Sequence, residues 1–221
     1  MIGAYVKGIG QLSDPKARAV VWKALGLAVL TFAGVWAGMA MLLTHTTITD
    51  IGWLNTLSDW LGGALVLVLT WFLFPAVMST VIGLLLDDIC DAVEARHYPD
   101  LGPDRDIPIL ETVVGSLKFL GVMVALNILM LPFLFLGPLF PFVFYAVNGY
   151  LLSREYFELV ALRRIGPAEA LALRKAHQGT LFLAGVVAAF LLTLPVVNLL
   201  APIVAVAATV HLFQGWRSGQ P

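Results

Sequence analysis

Two hydrophobic stretches of the chain break in the middle at prolines, and neither break is polar. The first reads Leu126-Asn-Ile-Leu-Met-Leu-Pro132, then Phe-Leu-Phe-Leu-Gly-Pro138, then Leu-Phe-Pro141. The second reads Phe190-Leu-Leu-Thr-Leu-Pro195, then Val-Val-Asn198-Leu-Leu-Ala-Pro202. A turn between soluble helices is normally polar and solvated. A helical hairpin whose tip is apolar belongs inside a bilayer, and it points toward a pathway through a membrane.

Composition agrees. The chain is 60% hydrophobic and 12% charged, with a mean hydropathy of +0.91. A soluble domain carries about 25% charged residues, so the class is integral membrane protein. A net charge of −1 argues against nucleic-acid binding. The single cysteine, Cys90, excludes an internal disulfide, and Cys/His zinc patterns are absent. The opening does not read as a cleavable signal peptide. Its first long apolar run continues for about 25 residues, against 7–15 for a signal core.

The expected fold class is an all-α integral membrane protein, 1–221 forming one membrane domain. Ile2, Val6, Ile9 and Leu12 fall near a helical stripe, so 1–14 reads as an interfacial helix. Ser13-Asp14-Pro15 is a helix start, a capping oxygen before proline, and it opens a first span over 15–44. A second span with a cytoplasmic, amphipathic extension covers 60–97. Leu86, Ile89, Cys90 and Val93 lie on one side of that extension, and Asp87, Asp88, Asp91 and Glu94 on the other. The acidic side reads as a solvated face. The first broken hairpin occupies 107–164, a short cytoplasmic helix 166–178, and the second broken hairpin 180–214.

Charge sets the orientation. Three basic residues (Lys7, Lys16, Arg18) precede the first span, and none lies in Thr44–Asp59. Two lie in Asp87–Pro108, five in Ser153–Gly179 and one in the tail. The positive-inside rule therefore places Thr44–Asp59 outside and both termini in the cytoplasm. Both ends of each broken segment then lie on one side, so each must enter and return. Thr180 to Leu194 would make about 22 Å of helix, short of a core about 30 Å thick. The return arm, from Ala201 to Phe213, reads as shorter still. Partial penetration is the expectation, with Pro132, Pro138, Pro195, Asn198 and Pro202 in the turns. Two full spans per segment would satisfy the charge rule equally. An irregular turn in lipid leaves backbone groups unpaired at several kcal/mol each, which predicts a tip buried against protein or a watery cavity.

The most distinctive run is Asn148-Gly-Tyr-Leu-Leu-Ser-Arg154-Glu155-Tyr-Phe157. It puts Arg154 and Glu155 at a membrane boundary, with Arg154 and Glu158 spaced to pair at i,i+4. Function and interfacial anchoring both account for such residues. The run, with the late Leu194-Pro-Val-Val-Asn-Leu-Leu-Ala-Pro202, resembles the signature of the CysZ sulfate permeases and their etoposide-induced-protein relatives. The layout is similar across nearly the whole chain. The resemblance implies a homo-oligomeric protein of the bacterial inner membrane that carries sulfate inward for cysteine synthesis, on hairpins penetrating partway. It also implies a sulfate site at a Gly-Leu-Arg element following a proline. Here the stretch is Pro15-Lys16-Ala17-Arg18, with Lys16 where glycine is expected. A helix start offers free N–H groups to an oxyanion and Arg a bidentate donor. Asp14 would compete for those groups. Membrane topology and lipid headgroup contact explain Lys16 and Arg18 equally well.

Lys118, Asn127 and Asn148 complete the pathway candidates with Arg154 and Glu155. A lysine at the depth of Lys118 faces a cavity or snorkels to the surface, and the asparagines line a pathway or bond within the helices. His45, His97, His177 and His211 are scattered, so no metal site, cofactor or acid–base pair is expected. No nucleotide-binding glycine loop appears, and no catalytic constellation indicates an enzyme. Two functions compete. One is a permease or channel for sulfate or a similar small oxyanion. The other is a membrane-organising scaffold whose hairpins wedge one leaflet. Convergence of Asn127, Asn148, Arg154 and Glu155 on one cavity favours transport, and dispersal favours scaffolding.

Overall fold

The structure is a computed structural model that describes residues 1–45, 60–64, 67–68, 70, 81–194 and 197–219. The described residues form helices and contain no strand. Pro195 and the Thr46–Asp59 part of the connection between the first two spans lie outside them, as does most of the second span before Val81. The chain, read as one membrane domain, divides into two compact units. One comprises Met1–Arg18 with Leu86–Pro221, the other Ala19–Leu85.

The second unit holds most of helix α2, Pro15–His45. Its apolar 24-residue stretch Pro15–Gly38 is long enough to span a membrane. Trp36 Nε1 donates a hydrogen bond of 3.2 Å to the Thr70 hydroxyl. Such bonds link helices where no hydrophobic force drives them together.

The first unit begins with α1, Ile2–Gln11. Its buried positions are Gly8 and Gln11, while Ile2, Val6 and Ile9 stay exposed. The inward face touches protein because Gly8 is small. A Cβ there would come within 2.7 Å of the Val204 carbonyl oxygen. The exposed apolar stripe suits a helix lying in a membrane interface. Next in the unit is α3, Leu86–His97, which buries Ile89, Cys90 and Val93.

The first hairpin consists of α4 (Ile109–Met130), a 3₁₀ helix (Leu131–Leu139) and α5 (Phe140–Ala161). Together they form a continuous apolar stretch of 53 residues. Straight, it would measure about 80 Å, more than twice a bilayer core. It folds back at Gly137, whose φ of 51° and ψ of −106° suit glycine alone. Pro138 follows and Pro132 opens the 3₁₀ turn. The tip was expected to be buried against protein, and it is not: Phe135 is 88% exposed. The 3₁₀ segments on either side of Gly137 supply local i→i+3 bonds, among them the Phe140 N–H to the Gly137 carbonyl, and Pro132 and Pro138 have no N–H to satisfy. The base of the hairpin is tied. The Arg105 N–H donates to the Arg163 carbonyl at 2.8 Å, and Arg105 Nε donates to the Leu162 carbonyl at 3.1 Å. The chain therefore enters and leaves the hairpin at one end.

The short helix α6, Pro167–Ala176, starts from Gly166 with proline at its first turn. It meets α7, Gln178–Thr193, at 86°. Leu194 then adopts an extended backbone (φ −85°, ψ 122°). Proline excludes the helical region for the residue before it, and Pro195 follows. The return arm differs from the sequence reading. It is α8, Val197–Arg217, 21 residues long rather than the shorter arm expected from Ala201. Asn198 lies in its first turn, but Pro202 lies inside the helix and not in the turn. A proline near a helix start removes one hydrogen bond without ending the helix. This helix forms the core of the unit. Every residue from Ala201 to Gln214 is buried, as expected of a helix apolar all round. His177 stacks on Trp216 at 4.1 Å, so the second hairpin also has both ends together.

The hairpins meet where α5 crosses α7. A Cβ on Gly149 would overlap Val186, and one on Gly185 would overlap the Gly149 carbonyl. Small residues let membrane helices approach to backbone contact. On α5, Phe140 to Arg154 spans about 21 Å, and α7 is about 24 Å long. Both fall short of an apolar core about 30 Å thick, whereas α4 at about 33 Å and α8 at about 32 Å are long enough to cross it.

A charged cluster fastens the base. Arg163 bonds Asp91, Asp104 (2.5 Å) and the Asp87 carboxylate (3.4 Å). Arg164 pairs with Glu94 and with Asp104 (2.9 Å). The acidic face of α3 is therefore not simply solvated: Glu94 is buried against Arg164, and Gln214 donates to it at 3.3 Å. Burial alone would lower the Arg163 pKa. The bond to Asp91 and the fields of Asp91 and Asp104 outweigh burial and raise it. Burial also pushes the Cys90 thiol up to about 12, against the lowering influence of Arg163. Replacing Arg164 by Met should cost about 3–5 kcal/mol, because Glu94 loses its buried counter-charge. In detergent, N-ethylmaleimide labelling of Cys90 should accelerate as local opening becomes more frequent. An unchanged labelling rate and melting temperature would contradict this.

Candidate functional site

α5 turns from membrane to base at Arg154, and the side chains around it form a cavity of about 650 Å³. The cavity lies between the start of α4, the end of α5 and α6. Its charged walls are Lys118, Arg154 and Arg174 against Glu111 and Glu158. The rest is apolar, including Val114, Phe157 and Leu171. Its size falls in the range of about 300–1,000 Å³ typical of small-molecule sites. It exceeds what one bare tetrahedral anion fills, so water would accompany such an anion.

The charges are organised by Glu158. Its Oε1 accepts from Arg154 Nε at 2.9 Å and from Arg174 Nη1 at 3.1 Å. The first is the i,i+4 pair legible in the sequence. The second brings in α6. The Arg154 guanidinium also lies 5.5 Å from the centre of the Phe119 ring, a distance at which the ring face attracts a cation. Glu111 is occupied by Arg105, with one bond of 3.2 Å and one shorter. Lys118, Arg154 and Arg174 thus face Glu158 as the one cavity carboxylate not held by Arg105. A small dianion would exchange part of its hydration for charge-assisted bonds from such a set.

The sequence-derived candidates divide. Lys118 and Arg154 come together in this cavity. Asn127 spends its amide N–H on the Met123 carbonyl (2.8 Å), and Asn148 spends its own on the Phe144 carbonyl (2.9 Å). Glu155 is exposed and does not line the cavity. Arg174, counted in the sequence only among the basic residues of Ser153–Gly179, is the residue that sequence reasoning missed. Its spacing gave no signal, since it faces Glu158 across a turn between two helices.

The start of α2 already holds a carboxylate. Asp14 Oδ1 accepts the Lys16 N–H at 2.8 Å, and the Asp14 carbonyl accepts the Arg18 N–H at 2.9 Å. Arg96 lies 3.7 Å from the other Asp14 oxygen. Ala17 is fully buried, while Lys16 and Arg18 are exposed. The Asp14 carboxylate therefore occupies the Lys16 N–H, one of the groups that an oxyanion would use.

Replacing Glu158 by Gln should free both arginines and tighten inorganic sulfate binding to the solubilised protein by about tenfold, on Coulomb grounds at an effective dielectric near a protein surface. Calorimetric titration checks this. Equal or weaker binding in the variant would show that Glu158 does not compete with anions there.

No curated protein matches the chain. The model of one family, described as Sulfate transporter CysZ/Etoposide-induced protein 2.4, matches residues 4–202. This is a membrane protein with an all-α fold, and the chain belongs to the Sulfate transporter CysZ/Etoposide-induced protein 2.4 family.

Proposed function

We propose that the protein carries sulfate, or a closely similar small oxyanion, across a bacterial inner membrane with both termini in the cytoplasm. The observation that carries this reading is the convergence of Lys118, Arg154 and Arg174 on one cavity at the base of the first hairpin. Three cations gathered around one concave site offer an anion several charge-assisted bonds at once. The charge distribution of the sequence puts this base on the cytoplasmic side. Membership of a family that includes sulfate transporters supports the class of solute.

In this reading the cavity is the inner station of the pathway. An arriving dianion draws Arg154 and Arg174 away from Glu158, and Glu158 reclaims them on release. Lys16 and Arg18 would collect the anion near the membrane, working as exposed point charges because Asp14 fills the helix start. One copy provides little wall for a pore. α4 has no buried residue, and Ile109, Leu117 and Leu129 on it are exposed. A homo-oligomer would cover those faces and let hairpins of neighbouring copies complete the path.

A membrane-organising scaffold is the second reading. The dispersal of Asn127, Asn148 and Glu155, together with the capped start of α2, favours it.

Uptake of labelled sulfate into proteoliposomes separates the two. The intact chain should exceed empty vesicles, Lys118→Ala and Arg174→Ala should each lose most of the uptake, and Arg18→Ala should lower it severalfold. Removing one partner of such charge-assisted bonding is worth about 1.5–3 kcal/mol, or roughly ten- to hundredfold. Uptake no better than empty vesicles by folded protein would leave the scaffold reading standing.

A further inference from the structure

The contact between the hairpins carries a second feature, which shares Arg154 and Arg174 with the cavity and extends away from it along α5 and α7. α5 and α7 run antiparallel and touch at Gly149 and Gly185. Along one flank of that contact lie two concavities joined at Phe182, which lines both. The one toward the base is a notch of about 210 Å³. Arg154, Arg174 and Lys175 line it with the polar Ser153 and Gln178, and no carboxylate does. The one toward the hairpin tips is a groove of about 480 Å³. It is lined by Phe142, Tyr145, Ala146, Val186 and Phe190 and is almost wholly apolar.

The two concavities follow the same stripes of the two helices. Positions 142, 146, 150 and 154 fall four apart on α5, and 178, 182, 186 and 190 fall four apart on α7. Residues so spaced share one helix face. Each stripe changes from apolar near the tip to polar or cationic near the base. Tyr145 and Thr193, whose hydroxyls lie 3.1 Å apart, tie the two helices at the far end of the groove.

We propose that this cleft binds one anionic phospholipid. The phosphate would sit over Arg174 and Lys175, with Arg154 behind them, and one acyl chain would lie along Phe182, Val186 and Phe190. A free oxyanion fits the notch but has no use for the groove. A neutral lipid fits the groove but brings no charge to a notch where three cations, Arg154, Arg174 and Lys175, have only Glu158, shared by the two arginines from outside the notch, as a counter-charge. Basic pockets between membrane helices on the cytoplasmic side recognise anionic headgroups by this combination. A lipid held there would cement the α5–α7 contact, which joins the two hairpins and is formed without the cavity residue Lys118. The proposal does not rest on anion transport.

Native mass spectrometry of the delipidated protein tests it, with equimolar phosphatidylglycerol and phosphatidylcholine of identical chains. The wild type should retain one phosphatidylglycerol in preference to phosphatidylcholine. Lys175→Ala should reduce that preference about fivefold, the effect of one cation near a membrane surface. Lys7→Ala, removing an exposed cation on α1, should leave it unchanged. Ala146→Trp, filling the groove at an exposed position, should lower retention of both lipids alike. Equal retention of the two lipids by the wild type would overturn the proposal. So would displacement of the lipid by equimolar inorganic sulfate with no effect of Ala146→Trp, because the notch would then be a site for a free oxyanion.

Discussion

Arg163 and Arg164 hold the base of the larger unit together. Two adjacent guanidinium groups, each with a side chain 9% exposed, gather carboxylates from α3 and from the loop that precedes the first hairpin. Neither could be buried alone, since an unpaired charge out of water costs several kcal/mol. The cluster therefore requires α3, the loop and the end of α5 to arrive at one place. Once they do, Arg105 reaches the carbonyls of Leu162 and Arg163, and the first hairpin is closed at its base. Gln214 joins from α8 through Glu94, so the second hairpin is fixed to the same point. All charge is concentrated at one end, which leaves the rest of both hairpins free to be apolar.

Above the base, the two hairpins solve the backbone problem of a lipid environment differently. The first ends in 3₁₀ segments around Gly137 that supply local hydrogen bonds, with prolines that have no N–H to satisfy. The second buries its return helix inside the protein, so α8 is surrounded by helices rather than by lipid. Glycine at Gly8, Gly149 and Gly185 makes both arrangements compact, because close backbone approach replaces the hydrophobic force that acts in water. The cavity at Arg154 is the product of these constraints. α6 must lie across the base to connect the hairpins, and it delivers Arg174 to a carboxylate already shared with Arg154. A site with cations competing for one internal carboxylate is loaded to exchange partners with an anion.

Much of this was legible in local sequence. Apolar breaks at proline gave the hairpins, and the distribution of Lys and Arg put both ends of each on one side. The i,i+4 spacing gave the Arg154–Glu158 pair, and Asp14 was visible as a rival for the α2 helix start. What stayed hidden depends on partners distant in the chain. Glu94 looked solvated because Arg164, its counter-charge, lies 70 residues further on. Arg174 did not stand out because Glu158 meets it only after the chain turns. Pro202 looked like a breaker because nothing local distinguishes a proline in a turn from one in the early part of a buried helix. Asn127 and Asn148 looked like pathway groups, yet each meets its hydrogen-bonding need within its own helix.

We infer that the first hairpin enters and returns on one side and ends within the bilayer. A single cysteine at Phe135, in a chain with Cys90 replaced by Ala, tests it in sealed vesicles of both orientations. The account predicts no reaction with a membrane-impermeant maleimide from either side, and full reaction once detergent is added. Labelling from the side opposite the termini, before detergent, would mean that the hairpin crosses completely and would contradict it.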